Sequence, residues 1–261
     1  MSGLFAFSRH DITAALGEFL GTAYFLFMGV GGAASMSAKA PDIAALAVPF
    51  AFGWSLFVNV WIWAPVSGGI LNPAITIALI VTKNLSIIRG ALYIIAELGG
   101  ATLGSFLIDV LLPDAANSPA YVGSTTLSST VSAAQGLFLE VFATSVLTSA
   151  VFFLAVEKSG GFVAPFGIGM ALFISAIATG PYTGASLNPA RTFGPSVISG
   201  NYGDSYWIYY IGPILGALLA AAYWSLFQKL DYKKCSGNDE TTTKEANRTD
   251  AKHDLESNEA N

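Results

Sequence analysis

The sequence predicts an all-α membrane protein with six transmembrane helices and two re-entrant half-helices, arranged as an inverted repeat. Three observations lead to this fold class. The chain of 261 residues is 53% hydrophobic and only 11% charged, whereas soluble domains carry about 25% charged residues. Six apolar segments approach or exceed the roughly 20 residues that cross a bilayer. Finally, the tetrapeptide Leu-Asn-Pro-Ala occurs twice, at 71–74 and at 187–190.

The six apolar segments form two sets of three. They cover approximately 12–36, 43–66, 90–112, 134–156, 161–179 and 207–228. The Leu-Asn-Pro-Ala stretches follow the second and the fifth segment, so three spans and a short helix occur twice. Because three is an odd number, the two copies must cross the membrane in opposite directions. The sequence therefore predicts two repeats related by an axis in the membrane plane.

Each Leu-Asn-Pro-Ala stretch predicts the start of a helix, because Asn is favoured at the N-cap and Pro at the first helical position. The segments that follow Asn72 and Asn188 are too short to span a bilayer. Such half-helices are tolerated at membrane depth only inside protein or beside a water-filled cavity. Two positive helix N-termini meeting there would orient neutral dipoles and repel cations and protons. A simple Asn-Pro turn is the alternative, and the repetition disfavours it.

These segments also predict the organisation of the chain. The expected parts are an N-terminus over 1–10, a first repeat over 11–112 with its half-helix from Asn72, a connecting loop over 113–133, a second repeat over 134–230 with its half-helix from Asn188, and a disordered polar tail over 231–261. Most basic residues fall in alternate loops: Arg9, Lys83, Arg89, Lys158, Lys229, Lys233 and Lys234, against Lys39 alone on the other side. Both termini are therefore predicted to be cytoplasmic, and the connecting loop extracellular.

The composition argues against several other kinds of chemistry. Both histidines, His10 and His253, lie outside the spans, and the single cysteine, Cys235, lies in the polar tail. We therefore expect no intramolecular disulfide and no metal site built from Cys and His. The chain has no Gly-rich phosphate loop. The sequence predicts no enzyme, no cofactor and no nucleic-acid partner.

Four sequence stretches resemble one family. SGGILNPAITIAL and TGASLNPARTFGP, with GEFLGT opening the first repeat and LFLEVFAT the second, are similar to signatures of the major intrinsic proteins, the aquaporins and aquaglyceroporins. WIYYIGPILGALLAAAYW is similar to fungal members. The resemblance implies a homotetramer in the plasma membrane, with one passive pore for water and small neutral solutes in each subunit. It assigns the centre of the pore to the two motifs, Asn72, Pro73, Ala74 and Asn188, Pro189, Ala190, where the asparagines donate to the permeant.

The resemblance also implies a narrow selectivity filter. Spacing from the two motifs assigns it to Phe52, Ala176, Ala185 and Arg191. An Arg at membrane depth is a functional residue by default, although it can also serve only to cap carbonyls near the surface. Strict water channels usually carry His where this chain has Ala176, and a methyl group there should widen the filter and make it less polar. We therefore expect hydrogen peroxide, urea, ammonia or glycerol to pass with water.

Other positions indicate the water-channel branch of the family. Thr192 follows Arg191 where glycerol facilitators typically have Asp, and Tyr209 and Tyr210 precede the Gly-Pro pair of the last span. A strict water channel with an unusual filter is therefore an alternative. Two alternatives come from other classes: a secondary transporter, since these also contain inverted repeats and broken helices, and a junction protein that conducts poorly.

Three glutamic acids lie within apolar segments, where each needs a hydrogen bond, an ion pair or a proton. Glu18 and Glu140 occupy matching places in the two repeats. The resemblance implies that they brace the re-entrant loops by accepting backbone N–H bonds, and a proton relay is the alternative. Glu97 lies where most members have Gln, so we expect a protonated, glutamine-like group. The alternative is that its ionisation at high pH disturbs the bundle and lowers permeability.

Overall fold

The computed structural model describes residues 8–112 and 123–236. This part of the chain contains no β-strand. Its α-helices are α1 Arg9–Lys39, α2 Ala44–Ser67, α3 Pro73–Val81, α4 Ile87–Leu111, α5 Ala133–Ala150, α6 Ala164–Thr183, α7 Pro189–Ser199 and α8 Ile208–Lys229. A π-helical segment, Val151–Val156, continues α5, and short 3-10 helices cover Pro41–Ile43, Gly161–Val163 and Tyr232–Ser236.

Within residues 8–112 and 123–236, six helices are long and apolar enough to cross a membrane: α1, α2, α4, α5 with its π-helical continuation, α6 and α8. The two remaining helices, α3 and α7, have only 9 and 11 residues. They follow α2 and α6 in the chain, which are the second and fifth spans. The predicted fold class, with six spans and two half-helices, is confirmed.

Several helix boundaries differ from the sequence prediction by up to four residues, and two of them have a clear cause in the capping residues. α1 begins at Arg9 because Ser8 forms a capping box: Ser8 Oγ accepts the Asp11 N–H at 3.1 Å, and the Asp11 carboxylate accepts the Ser8 N–H at 3.1 Å. α6 continues to Thr183, beyond the predicted end at 179, and the left-handed Gly184 ends it. Pro181 lies inside this last turn and does not stop the helix.

Within the unit that ends at Ala221, α1 packs against α2 and α4, α2 and α5 pack against α6, and α4 packs against α7. Glycine allows the closest helix crossings. Gly100 of α4 lies against the Phe19 carbonyl of α1, and Gly216 of α8 lies against the Val141 carbonyl of α5. A Cβ atom at either glycine would clash with the carbonyl oxygen. The two glycines follow Asn72 and Asn188 at the same sequence distance, so the same contact occurs in both repeats.

The second unit begins at Ala222. In its described part, the end of α8 leads to Tyr232–Ser236, where Lys234 pairs with Asp231 and the rings of Phe227 and Tyr232 lie 6.4 Å apart. This turn falls inside the stretch predicted to be disordered. The remainder of that tail, 237–261, lies outside the described residues, as do 1–7 of the N-terminus and 113–122 of the connecting loop.

Candidate functional site: a cavity between two half-helices

The N-termini of α3 and α7 are capped in the same way. Asn72 and Asn188 have extended backbones, with φ of −156° in both. Asn72 Oδ1 accepts the Ala74 N–H at 3.0 Å, and Asn188 Oδ1 accepts the N–H of Ala190 at 2.9 Å and of Arg191 at 3.4 Å. The prolines that follow occupy the first helical position, where an N–H would have no helical partner.

The same two asparagines also join the half-helices to each other. Asn72 Nδ2 donates to the Leu187 carbonyl at 2.9 Å, and Asn188 Nδ2 donates to the Leu71 carbonyl at 2.7 Å. A side-chain amide has two N–H donors, so one N–H of each Asn remains after this hydrogen bond is made. Both asparagines line the same cavity.

Two buried carboxylates hold the loops that precede α3 and α7. Leu71 and Leu187 adopt the left-handed conformation, with φ of 53° and 52°, which costs about 1–2 kcal/mol for an L-residue. Glu18 accepts the Leu71 N–H at 2.7 Å and the Ile70 N–H at 3.1 Å. Glu140 accepts the N–H groups of Leu187 at 2.8 Å and Ser186 at 2.9 Å, as well as the Thr183 hydroxyl at 2.7 Å. These bonds offset the cost of the left-handed turns.

Glu97 is also fully buried, but it uses only one of its oxygens. Its Oε1 accepts the Asn72 N–H at 3.1 Å and the Thr76 hydroxyl at 2.8 Å. Its Oε2 has no hydrogen-bond partner among the described residues. Glu97 therefore anchors the start of α3 from α4 through a single oxygen atom. The described part of the chain contains no cluster of His, Cys, Asp or Glu that could hold a metal ion.

The residues of the predicted filter meet at the junction of two cavities. The larger cavity, of about 340 Å³, is lined by all four of them and by both motif asparagines, within largely aliphatic walls. A second cavity, of about 260 Å³, shares Phe52, Ala176 and Ala185 with the first. Since these three residues line both spaces, they lie at the boundary between the two cavities, and Arg191 lines the larger one.

Arg191 is the charged member of the predicted filter, and only 5% of it is exposed. Its guanidinium carbon lies 4.6 Å from the ring centre of Phe52, a cation–π contact. Its Nη1 donates to the Gly123 carbonyl, and its Nε is buried without a hydrogen-bond partner among the described residues. The guanidinium is thus held between an aromatic face and a loop carbonyl.

The sequence did not single out the loop that supplies this carbonyl. Gly123 has φ of +77°, and a Cβ atom there would clash with Val30. Nothing in the local pattern marks this glycine as a partner of Arg191. Thr192, the residue after Arg191, can be noticed in the sequence because the motif repeat includes it. It follows Asn188 by the same interval at which Thr76 follows Asn72.

Comparison with known proteins identifies relatives over most of the chain. The family model described as Major intrinsic protein matches residues 6–224. Aquaporin-1 of Rhizophagus irregularis is 56% identical over 85% of this chain and 80% of that protein. Aquaporin-1 of Botryotinia fuckeliana (strain B05.10) is 42% identical over 86% of this chain and 49% of that protein. Among solved structures, the aquaglyceroporin from Plasmodium falciparum matches with a TM-score of 0.76 and 23% identity, over 82% of this chain and 95% of that one. This match shows a similar fold.

Proposed function

Because this chain belongs to the major intrinsic protein family, whose members are multi-pass membrane channels and not enzymes, we propose that it is a passive channel for water and other small neutral solutes. The candidate permeants besides water are hydrogen peroxide, urea, ammonia or glycerol. The observation that carries the proposal is the pair of methyl groups, Ala176 and Ala185, at the boundary where the two cavities meet.

Because Ala176 and Ala185 are small, we expect the side chains of Phe52 and Arg191 to determine the width of the pore. Selectivity in pores of this kind depends on diameter, on lining donors and on electrostatic barriers. A methyl group at Ala176 neither donates a hydrogen bond nor fills the space that an imidazole would fill. Solutes somewhat larger than water should therefore pass, provided that they are neutral.

The charges around the cavity support the exclusion of ions and protons. Arg191 is cationic, and the N-termini of α3 and α7 add partial positive charge where Asn72 and Asn188 line the cavity. The other walls are largely aliphatic, so few groups there can replace the water that surrounds a cation. A neutral molecule can instead exchange its hydrogen bonds with water for the asparagine and arginine donors.

We extend the proposal to location and assembly. The ion pair between Arg89 and Asp11, at 2.7 Å, joins the starts of α1 and α4, and this supports the orientation expected from the basic loops, in which both starts face the cytoplasm. We propose cytoplasmic termini, a plasma-membrane location and a homotetramer with one pore per subunit. Lysine labelling at Lys39 and Lys83 in sealed vesicles tests the orientation.

Stopped-flow light scattering on proteoliposomes tests the solute range. Wild type is compared with Ala176→His, first with an impermeant osmolyte and then with gradients of urea and of glycerol. Ala91→His serves as the matched control, because Ala91 is exposed on α4 and does not line the cavities. We expect wild type and Ala91→His to pass water and at least one solute that Ala176→His excludes.

Other outcomes would contradict the proposal in distinct ways. Passage of water alone by wild type would indicate a strict water channel in which other groups fill the space beside Ala176. Saturable uptake driven by an ion gradient would indicate a secondary transporter. Correctly inserted protein with no rise in permeability would indicate a junction protein.

A further inference from the structure

A chain of three buried hydroxyls lies beside Arg191. Thr125 Oγ1 lies 2.8 Å from Thr192 Oγ1, and Thr192 Oγ1 lies 2.7 Å from Ser186 Oγ. Ser186 Oγ in turn donates to the Asn188 carbonyl at 3.0 Å. All three side chains are buried. They connect the loop at Thr125 with the start of α7.

The number of protons available fixes the direction of donation along these three hydroxyls. A hydroxyl has a single proton to donate. Because the Ser186 proton goes to the Asn188 carbonyl, Thr192 must donate to Ser186. The Thr192 proton is then used, so Thr125 must donate to Thr192. Thr192, on α7, is the central member, since it accepts from Thr125 and donates to Ser186 in the loop that precedes α7.

The loop that donates into this chain is the one that holds the guanidinium. Gly123, whose carbonyl accepts from Arg191 Nη1, lies two residues before Thr125. A second tie joins the loop to the end of α7, where Ser124 Oγ lies 3.0 Å from Ser199 Oγ. The distance between the Gly123 carbonyl and the backbone of Arg191 therefore depends on both hydroxyl contacts.

The first repeat contains the equivalent threonine with a different partner. Thr76 donates to Glu97 Oε1 on α4 at 2.8 Å, and among the described residues its hydroxyl has no hydrogen bond to a loop. The residue before it is Ile75, in the place that Arg191 occupies in the second repeat. Within the described part of the chain, a loop is thus hydrogen-bonded to this threonine only in the half-helix that carries the arginine.

We propose that Thr192 is a positioning residue for the selectivity filter. Its hydroxyl clamps the loop 123–125 against α7, so that the Gly123 carbonyl keeps the Arg191 guanidinium over Phe52. This inference rests on the proposed function of Arg191 as a size-limiting group, and it adds a residue that sets solute selectivity without contacting the permeant. Loss of the clamp frees the guanidinium and lets larger neutral solutes through.

The test compares variants in proteoliposomes by their ratio of urea to water permeability. Thr192→Val removes the hydroxyl at nearly constant volume, and Thr192→Ser retains it. The matched control is Thr22→Val, because the Thr22 hydroxyl is fully buried and has no partner among the described residues. We expect Thr192→Val to raise the ratio about fivefold, the population change typical of one lost buried hydrogen bond. Thr192→Ser and Thr22→Val should match wild type.

A second measurement reads the guanidinium directly and does not depend on transport. The chain contains four arginines, so the side-chain ¹⁵N NMR signals of Arg191 can be assigned from Arg191→Lys. We expect Thr192→Val to shift or broaden these signals and Thr192→Ser to leave them in place. If Thr192→Val fails to insert, Thr125→Val breaks the same chain from the loop side. Arg191 signals that are unchanged in Thr192→Val or Thr125→Val would overturn the proposal.

Arg191→Ala separates this inference from the proposed function. If it leaves the urea-to-water ratio unchanged, Arg191 does not limit solutes and the proposed filter is wrong, while the NMR result still decides whether Thr192 positions it. If Arg191→Ala raises the ratio and Thr192→Val does not, the filter stands and the positioning role of Thr192 is refuted.

Discussion

Asn72 and Asn188 each bind the residue that precedes the other. The Nδ2 of Asn72 lies 2.9 Å from the Leu187 carbonyl, and the Nδ2 of Asn188 lies 2.7 Å from the Leu71 carbonyl. Each asparagine therefore acts twice, as the cap of its own half-helix and as the link to the other. The two roles use different atoms of the amide, Oδ1 and Nδ2, so a substitution can separate them.

Replacing Asn188 with Asp should keep the cap and remove the link. A carboxylate still accepts the Ala190 N–H, but it has no N–H to donate to the Leu71 carbonyl. We expect the free energy of unfolding to fall by about 1–3 kcal/mol, the typical cost of an unsatisfied buried acceptor. Chemical unfolding in detergent, followed by tryptophan fluorescence, measures this. Asn84→Asp, at an exposed turn, is the control, and equal stability of the two variants would refute the link.

The buried acids should differ in their tolerance of Gln. Glu140→Gln places an NH₂ group against a backbone N–H, because both Glu140 oxygens accept bonds, and should cost about 1–3 kcal/mol of stability. Glu97→Gln should be neutral, since only Oε1 is used and the NH₂ can take the place of the unpartnered Oε2. The same unfolding assay compares them.

The Glu97 variant also tests the ionisation hypothesis. Water permeability measured against pH should be flat in wild type and identical in Glu97→Gln. A fall at high pH in wild type that is absent from Glu97→Gln would show that ionisation of Glu97 disturbs the pore.

Gly216→Ala should prevent correct packing of α8 against α5. The added methyl group would overlap the Val141 carbonyl oxygen, which is backbone and cannot rotate away. We expect loss of the monodisperse peak in size-exclusion chromatography. Gly180→Ala is the matched helical control, because a Cβ atom there meets nothing within 4 Å. Normal elution of Gly216→Ala would show that the crossing can widen at little cost.

Mercurials should not inhibit the wild-type channel through a pore thiol. The single cysteine, Cys235, is exposed and lies beyond the last span. Ala185→Cys should create sensitivity, because Ala185 lines both cavities at the filter. Osmotic swelling with and without a mercurial measures this in a Cys235→Ser background. Strong inhibition of Cys235→Ser alone at low mercurial concentration would contradict the prediction.

The sequence by itself determined the kinds and order of the helices. Span length follows from bilayer thickness, and the half-helices follow from an Asn-Pro pair ahead of a segment too short to cross. These are local properties, readable from neighbouring residues. The boundaries shifted by a few residues where a side chain acted across a turn, as Ser8 does at the start of α1.

Only the tertiary structure decided which donor meets which acceptor. The Leu71 and Leu187 carbonyls are ordinary backbone groups, and they become acceptors because the two half-helices meet end to end. Gly123 meets Arg191 for the same reason: the partners lie far apart in the chain, and the packing of α7 brings them together. Hydropathy and helix signals depend on residue type alone, whereas a hydrogen bond depends on the distance and angle between two atoms, which the folded chain alone defines.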